Sequence, residues 1–323
     1  MAMKRGVSLY SYQHEYFHHM MNLEDCIKAV SDMGATGVEI IPEQMLNEYP
    51  NLSDSFLEKW FGWMKKYNTE PVCTDAFLDM LLYKNRTLTD EEAVQLVARD
   101  LKVASQLGCY VIRSLCMTPV RILERSLEYA EKYNVKIGLE IHAPVDLNSP
   151  WFEPYQELID RSGSKWLGII PDMGVFEKTL SGVHKERAIR DGTNPKIVEY
   201  TSAAYDAGVP VAKIVADARR MGAGPKDQAW LHKVSRTVYT DPQGLRKHKD
   251  YIFHIHAKFY NMLPDFTDES LDYDSVIPIL KEIGFDGYLS SEYEGNRVIE
   301  DAFEVNSVEQ VSRQHEMFKR MLA

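Results

Sequence analysis

The chain has 323 residues, 45% hydrophobic and 26% charged, and a net charge of −11. That length and apolar content bury a large core without disulfides, while the acidic balance excludes the broad basic surface of a nucleic-acid binder. No apolar run approaches a membrane span and the opening MAMKRGVSLYSYQ lacks the apolar stretch of a secretory signal, so a cytoplasmic protein contacting neither membrane nor nucleic acid is expected. Cys26, Cys73, Cys109 and Cys116 show no C-x-x-C spacing and read as buried reduced thiols.

A strand is predicted first at 6–12 (GVSLYSY), where Tyr10 and Tyr12 alternate onto one face and are placed to line a ring-shaped substrate. His14, His18 and His19 follow in a dense aromatic stretch, and the adjacent pair His18 and His19, which is not at i, i+4 metal spacing, reads as a solvated loop. Helical periodicity over Leu23–Met33 stops at MGATG, and a strand at 37–41 (GVEII) carries Glu39. A helix over Phe56–Tyr67 leads to a strand at 71–76 (PVCTDA) with Asp75 near its end. Thr89 and Glu92 form a capping box for a helix over Glu91–Leu107, followed by a strand at 109–115 (CYVIRSL) with Arg113. A helix over Pro119–Tyr133 precedes a strand at 136–143 (KIGLEIHA), and one over Pro154–Ser162 precedes a strand at 167–172 (LGIIPD). The last two strands are expected at 251–259 (YIFHIHAKF) and 287–293 (GYLSSEY).

Eight strands alternating with helices call for a parallel sheet closed into a (β/α)8 TIM barrel, a single domain over 1–323. An open doubly wound sheet is the runner-up, and no glycine-rich phosphate loop after the first strand supports it. Residues 175–250 are far longer than one crossover and must fold as a helical insertion between strands six and seven, packed near the barrel mouth. Within it NPKIVEYTSAAYDAGVPVAKIVADARRMG reads as helices broken at AGVP, and DPQGL as a turn or helix start. From Ser181 to Asp250 there are 13 Lys and Arg against 8 Asp and Glu, a mildly basic stretch read as a solvated helical surface.

In such barrels chemistry gathers where the strands end. Four consecutive strands end in groups able to hold a divalent cation: Glu140, Asp172, His256 and Glu292. Three carboxylates and an imidazole form a hard, oxygen-rich set that suits Mn²⁺ first, with Mg²⁺, Co²⁺ or Zn²⁺ also compatible. His142, two residues after Glu140, shares its face one layer nearer the mouth and is the candidate general base. Lys258 is the second candidate catalytic group, placed to meet a substrate oxygen. Tyr10, Tyr12, His254 and Glu294 complete a candidate substrate-binding set. Of these His254 lies deeper, where orienting a ligand carboxylate is its expected part.

The motifs GLEIHAP, IIPDMG, HIHAKFY and SSEYEG resemble the xylose isomerase-like barrels, also called sugar phosphate isomerases/epimerases, over the whole chain. GVSLYSYQ, EIHAP, HIHAKFY and SSEYEGN, with the long insertion, resemble more narrowly the α-subunits of bacterial C-glycoside deglycosidases. The narrower resemblance implies a metal-dependent lyase that cleaves the C–C glycosidic bond of 3-keto C-glycosides by C2 deprotonation and elimination, with His142 as base. It also implies a small β-subunit in a hetero-oligomer. The broader one implies a divalent-metal keto-sugar isomerase or epimerase, from which the insertion and the lack of a clear second carboxylate pair depart. A non-catalytic carbohydrate-binding barrel is the remaining reading.

Overall fold

Eight parallel strands form one sheet in the computed structural model, which describes residues 3–323. They are β1 Lys4–Ser8, β2 Gly37–Ile40, β3 Glu70–Ala76, β4 Val111–Ser114, β5 Lys136–Ile141, β6 Leu167–Pro171, β7 Ile255–Phe259 and β8 Tyr288–Tyr293. Their order, β6-β5-β4-β3-β2-β1-β8-β7, is that of a ring, and the ring closes between β6 and β7 through two isolated parallel bridges, Ile169 to Ile252 and Asp172 to His256. The fold is therefore the TIM barrel expected.

The helices follow from local signals. Thr89 and Glu92 exchange the two hydrogen bonds of a capping box at the start of Asp90–Leu107, as do Asn22 and Asp25 before Leu23–Asp32. Gly108, at φ +81°, ends the former helix in the left-handed region that glycine adopts without penalty. Apolar faces of these helices pack against the outward face of the sheet, where Val38, Ile112, Ile137, Ile169, Ile255 and Leu289 are buried.

Inside the ring the two ends differ. Cys73, Val111, Ile170 and Tyr288 belong to a separate apolar cluster that plugs the lower end. Two or four residues further along the same strand faces stand Asp75, Arg113, Asp172 and Glu292, all buried. A dry floor thus lies beneath a polar upper layer, and the site is built on that layer.

Two strand limits depart from the sequence reading. The first strand does not run over 6–12: its ladder ends with Ser8 opposite Glu39, and Leu9–Tyr12 form a 3₁₀ turn leading into Gln13–Phe17. Once strand partners run out, the chain satisfies its backbone by turning, so Tyr10 and Tyr12 do not share a pleated face. Likewise β7 begins at Ile255, because Pro242–Tyr251 is a 3₁₀ segment starting at DPQGL. Four helices lie between β6 and β7: Gly182–Arg190, Pro195–Asp206, Val211–Arg220 and Gln228–Arg236. The second and third break at the AGVP step, and Ile197, Val198, Ile214, Trp230, Leu231 and Val234 give the inserted helices a core of their own. Among the described residues no helix is long and apolar enough to cross a membrane.

Candidate metal centre and active-site cavity

Strand alternation aims His254, His256 and Lys258 of the β7 segment into the ring while Ile255, Ala257 and Phe259 pack outside it, all of them buried. Glu140 at the end of β5, Asp172 just after β6 and Glu292 on β8 reach the same level. One ligand atom from each of Glu140, Asp172, His256 and Glu292 lies within 4.8 Å of the others. His256 Nδ1 is 3.0 Å from Glu140 and 3.6 Å from Glu292. Gly174 N–H donates to Asp172 Oδ1 at 2.7 Å, and a Cβ on Gly174 would come equally close to that oxygen, so glycine is what admits this contact.

The electrostatics call for a cation. Burial pushes Glu292 up to about 8, with Asp172 and Glu294 adding to the rise, and burial also raises Asp172. Glu140 is buried too, but Arg113 and His256 outweigh the desolvation and hold it well below the carboxylate range. Asp172 Oδ2 and Glu292 Oε2 are buried without a hydrogen-bond partner. Lys258 Nζ stands 3.2 Å from the first and 3.8 Å from the second, which offsets part of their charge without a directed hydrogen bond, and three carboxylates and an imidazole at this spacing fit a divalent ion.

Glu39, on β2, serves this layer from below. Its Oε2 is 2.7 Å from His254 Nε2, and its Oε1 lies 3.0 Å from His256 Nε2. Tyr110 extends the chain of contacts downward, its hydroxyl 3.4 Å from His254 Nδ1. His254 is fully buried in this arrangement, does not border the cavity, and touches Glu39, the residue that also reaches the candidate ligand His256. Two further groupings, Glu39 with Cys73 and His254 and Glu39 with Asp75 and His256, share these residues.

Above the four ligands is a cavity of about 190 Å³ bordered by Tyr10, Arg113, Glu140, His142, Lys258 and Glu294. His142 Nδ1 is 2.6 Å from the carbonyl of Ala143, which fixes the proton on that nitrogen and makes Nε2 the acceptor, a role it fills toward Lys258. Lys258 Nζ sits 2.7 Å from Nε2, 3.2 Å from Asp172 and 3.5 Å from Glu294. The charge of Lys258, then burial, lowers the pKa of His142. Burial disfavours the ammonium of Lys258, yet Asp172, Glu294 and Glu292 outweigh it and raise its pKa well above the ordinary value. A neutral imidazole thus faces a permanent cation, a division of labour between acceptor and donor.

Of the other sequence candidates, Tyr10 borders the cavity with Arg297 over its ring at 4.7 Å. Tyr12 does not: it is fully buried in the layer between sheet and helices. Arg113 had been noted only as a polar strand end. It donates to Asp75 at 2.7 Å, lies 3.7 Å from Glu140 and carries a positive charge into the carboxylate cluster. Its signal in the sequence was its inward position, shared with Glu140 on the next strand.

Residues 27–321 match the xylose isomerase-like TIM barrel family. The chain belongs to that family. It is 30% identical to the C-glycoside deglycosidase alpha subunit of Arthrobacter globiformis over 98% of this chain and 92% of that protein. It is 26% identical to the 3'-dehydrocarminate deglycosidase alpha subunit of a Microbacterium species, over 98% of this chain and 94% of the other. Among solved structures, the IOLI protein with a bound zinc atom superposes with a TM-score of 0.58 at 15% identity, covering 99% of this chain and 98% of that one, a likeness of fold.

Proposed function

We propose that this member of the xylose isomerase-like family is the catalytic alpha subunit of a metal-dependent C-glycoside deglycosidase, a lyase acting on 3-keto C-glycosides. The observation that carries the reading is the meeting of the Glu140, Asp172, His256 and Glu292 side-chain atoms at a cavity that His142 also borders, its Nε2 the acceptor nitrogen. The full-length similarity to two deglycosidase alpha subunits supports it.

A divalent cation held by those four residues supplies Lewis-acid polarisation of a sugar carbonyl and its neighbouring hydroxyl. Mn²⁺ is the first choice for so oxygen-rich a set. His142 Nε2 takes the proton from C2, for which Lys258 must yield its present contact to a substrate oxygen. The pair left by that proton forms the C1–C2 double bond, and the C1–aryl bond breaks. When the aglycone reacts as the keto tautomer of a phenol, its ring carbon already carries a proton and the departing pair ends on the phenol oxygen as a phenolate. His142 then returns its proton, and the products are an unsaturated 3-keto sugar and the free aglycone. Lys258, kept charged by Asp172, Glu292 and Glu294, donates to oxygen as negative charge grows. Tyr10 offers its ring and hydroxyl at the wall of the cavity.

The related proteins are alpha subunits, so we include a smaller partner subunit in the proposal. The test is incubation of the purified protein, alone and with any co-expressed small chain, with a 3-keto C-glycoside and Mn²⁺. Aglycone release is expected, and its absence under both conditions would sink the proposal. A second reading, a keto-sugar isomerase or epimerase, is favoured by one observation: Glu294 borders the same cavity as His142, so two proton-handling groups face one sugar. Deuterium entering a free ketose from solvent without bond cleavage would select it.

A further inference from the structure

A second cavity, of about 400 Å³, adjoins the metal cavity and shares His142 and Glu294 with it. Its outer wall comes from the inserted segment. On the helix Gln228–Arg236, Ala229, His232, Lys233 and Arg236 stand at i, i+3, i+4 and i+7, one continuous stripe, and all four border the cavity. The opposite face, Trp230, Leu231 and Val234, is buried in the insertion's own core. This helix therefore turns its polar face toward the mouth of the barrel, and part of the basic excess of residues 181–250 lines a space beside the reacting groups.

The charges in that space do not cancel. Lys233 is taken up by Glu177 at 2.8 Å, and Glu294 by Lys258. Among the described residues Arg236 and His232 take part in no ion pair, and the field of Arg236 reaches Cys116 at the edge of the metal cavity. The opposite wall is aromatic: His184 meets the Tyr260 ring edge-on at 4.6 Å, and its Nδ1 is buried without a partner. Burial, with Lys233 nearby, lowers His184 to about 3, so the ring is neutral.

We propose that this cavity is the leaving-group subsite and that it takes a planar aromatic aglycone bearing an acidic group, a phenolate or aryl carboxylate, with Arg236 and His232 as the specificity residues. This inference rests on the deglycosidase reading. Lys233 Nζ already covers the Tyr260 ring at 5.2 Å, so the aglycone ring takes the open space beside that contact, and its anionic oxygen meets the unpaired Arg236 guanidinium. The sugar is left over the metal ligands, so the C–C bond to be cleaved lies across the boundary marked by His142. A cation at the far end also stabilises the phenolate as it departs.

The experiment uses the full-length protein stripped of metal by chelation, so that a carboxylate cannot simply ligate the ion. Titration calorimetry compares 4-hydroxybenzoate with its uncharged amide, on the unaltered chain, on R236Q/H232Q and on R236K. Both residues are exposed, and retained Mn²⁺ affinity in the variants reports an intact barrel. Expected are at least about tenfold tighter binding of the anion than of the amide, loss of about that factor in R236Q/H232Q and partial return in R236K. Equal affinities in all three chains, or no binding of the anion, would overturn the subsite. A parallel assay separates this from the larger reading. If 3-keto C-glycosides are cleaved but R236Q/H232Q leaves KM unchanged for acidic and neutral aglycones alike, the subsite falls and the deglycosidase stands. If nothing is cleaved while anion binding still depends on Arg236, the cavity binds aryl anions but the deglycosidase reading falls, and the leaving-group role with it.

Discussion

Glu39 Oε1 lies 3.0 Å from Nε2 of His256, the ring nitrogen turned away from Glu140. A carboxylate there favours a proton on Nε2, so in the proposed metal-bound state Nδ1 would be free to face the ion, with Glu39 setting the tautomer of that candidate ligand. Glu39→Gln is expected to lower Mn²⁺ affinity by about 10–100-fold while the barrel still folds. Calorimetric titration of Mn²⁺ into both chains measures it, and an unchanged Kd would remove Glu39 from the site.

His142→Gln removes the acceptor imidazole nitrogen without touching the four candidate ligands. Proton abstraction should fall by about 10²–10⁴-fold with Mn²⁺ affinity unchanged. Turnover of a 3-keto glycoside and C2 deuterium exchange, set beside a metal titration, test the two halves separately.

Lys258 neutralises Asp172, Glu292 and Glu294 from within the cluster. Lys258→Met leaves those carboxylates uncompensated, and the metal-free protein should lose about 3–5 kcal/mol, most of it regained with saturating Mn²⁺. Urea unfolding with and without the ion measures both quantities.

Glu292 contributes to the pH dependence, as do Asp75 and Asp268, both pushed up to about 7 by burial. The folded pKa of Glu292, about 8, stands above its ordinary 4.5, so between those values the folded chain holds a proton that the unfolded chain has released. The stability this contributes is complete below about 4.5 and is lost as pH rises through about 8. Between pH 5.5 and pH 8 the metal-free protein should therefore lose stability relative to metal-free Glu292→Gln, a comparison that cancels the opposite contribution of the buried neutral histidines His184, His248 and His315. The increment from Mn²⁺, which competes with that proton, should grow over the same range. Thermal scans at several pH values decide the sign.

The parity of HIHAKF, with His254, His256 and Lys258 on one face, was readable because a strand's period of two survives any error in where the strand begins. The clustering of Glu140, Asp172, His256 and Glu292 was legible for the same reason, each standing at a strand end. Tyr12 was misplaced because the alternation in GVSLYSY looks the same whether the ladder continues or stops at Ser8, and only the neighbouring strands determine that. The partnership of Glu39 with two histidines could not be read either, since it joins β2 to the β7 segment across 215 residues of chain. The stripe of Ala229, His232, Lys233 and Arg236 was visible as helical spacing, but not the face it turns to the barrel.

The ring of strands has one weak joint, between β6 and β7, where two isolated bridges replace a ladder, and one of those bridges joins Asp172 to His256. Both are ligands of the candidate metal centre. An ion gripped by the pair would fasten the hoop at its loosest point, so loading the site should slow amide exchange most strongly along this seam. The clasp of the barrel and the seat of its chemistry would then be a single place.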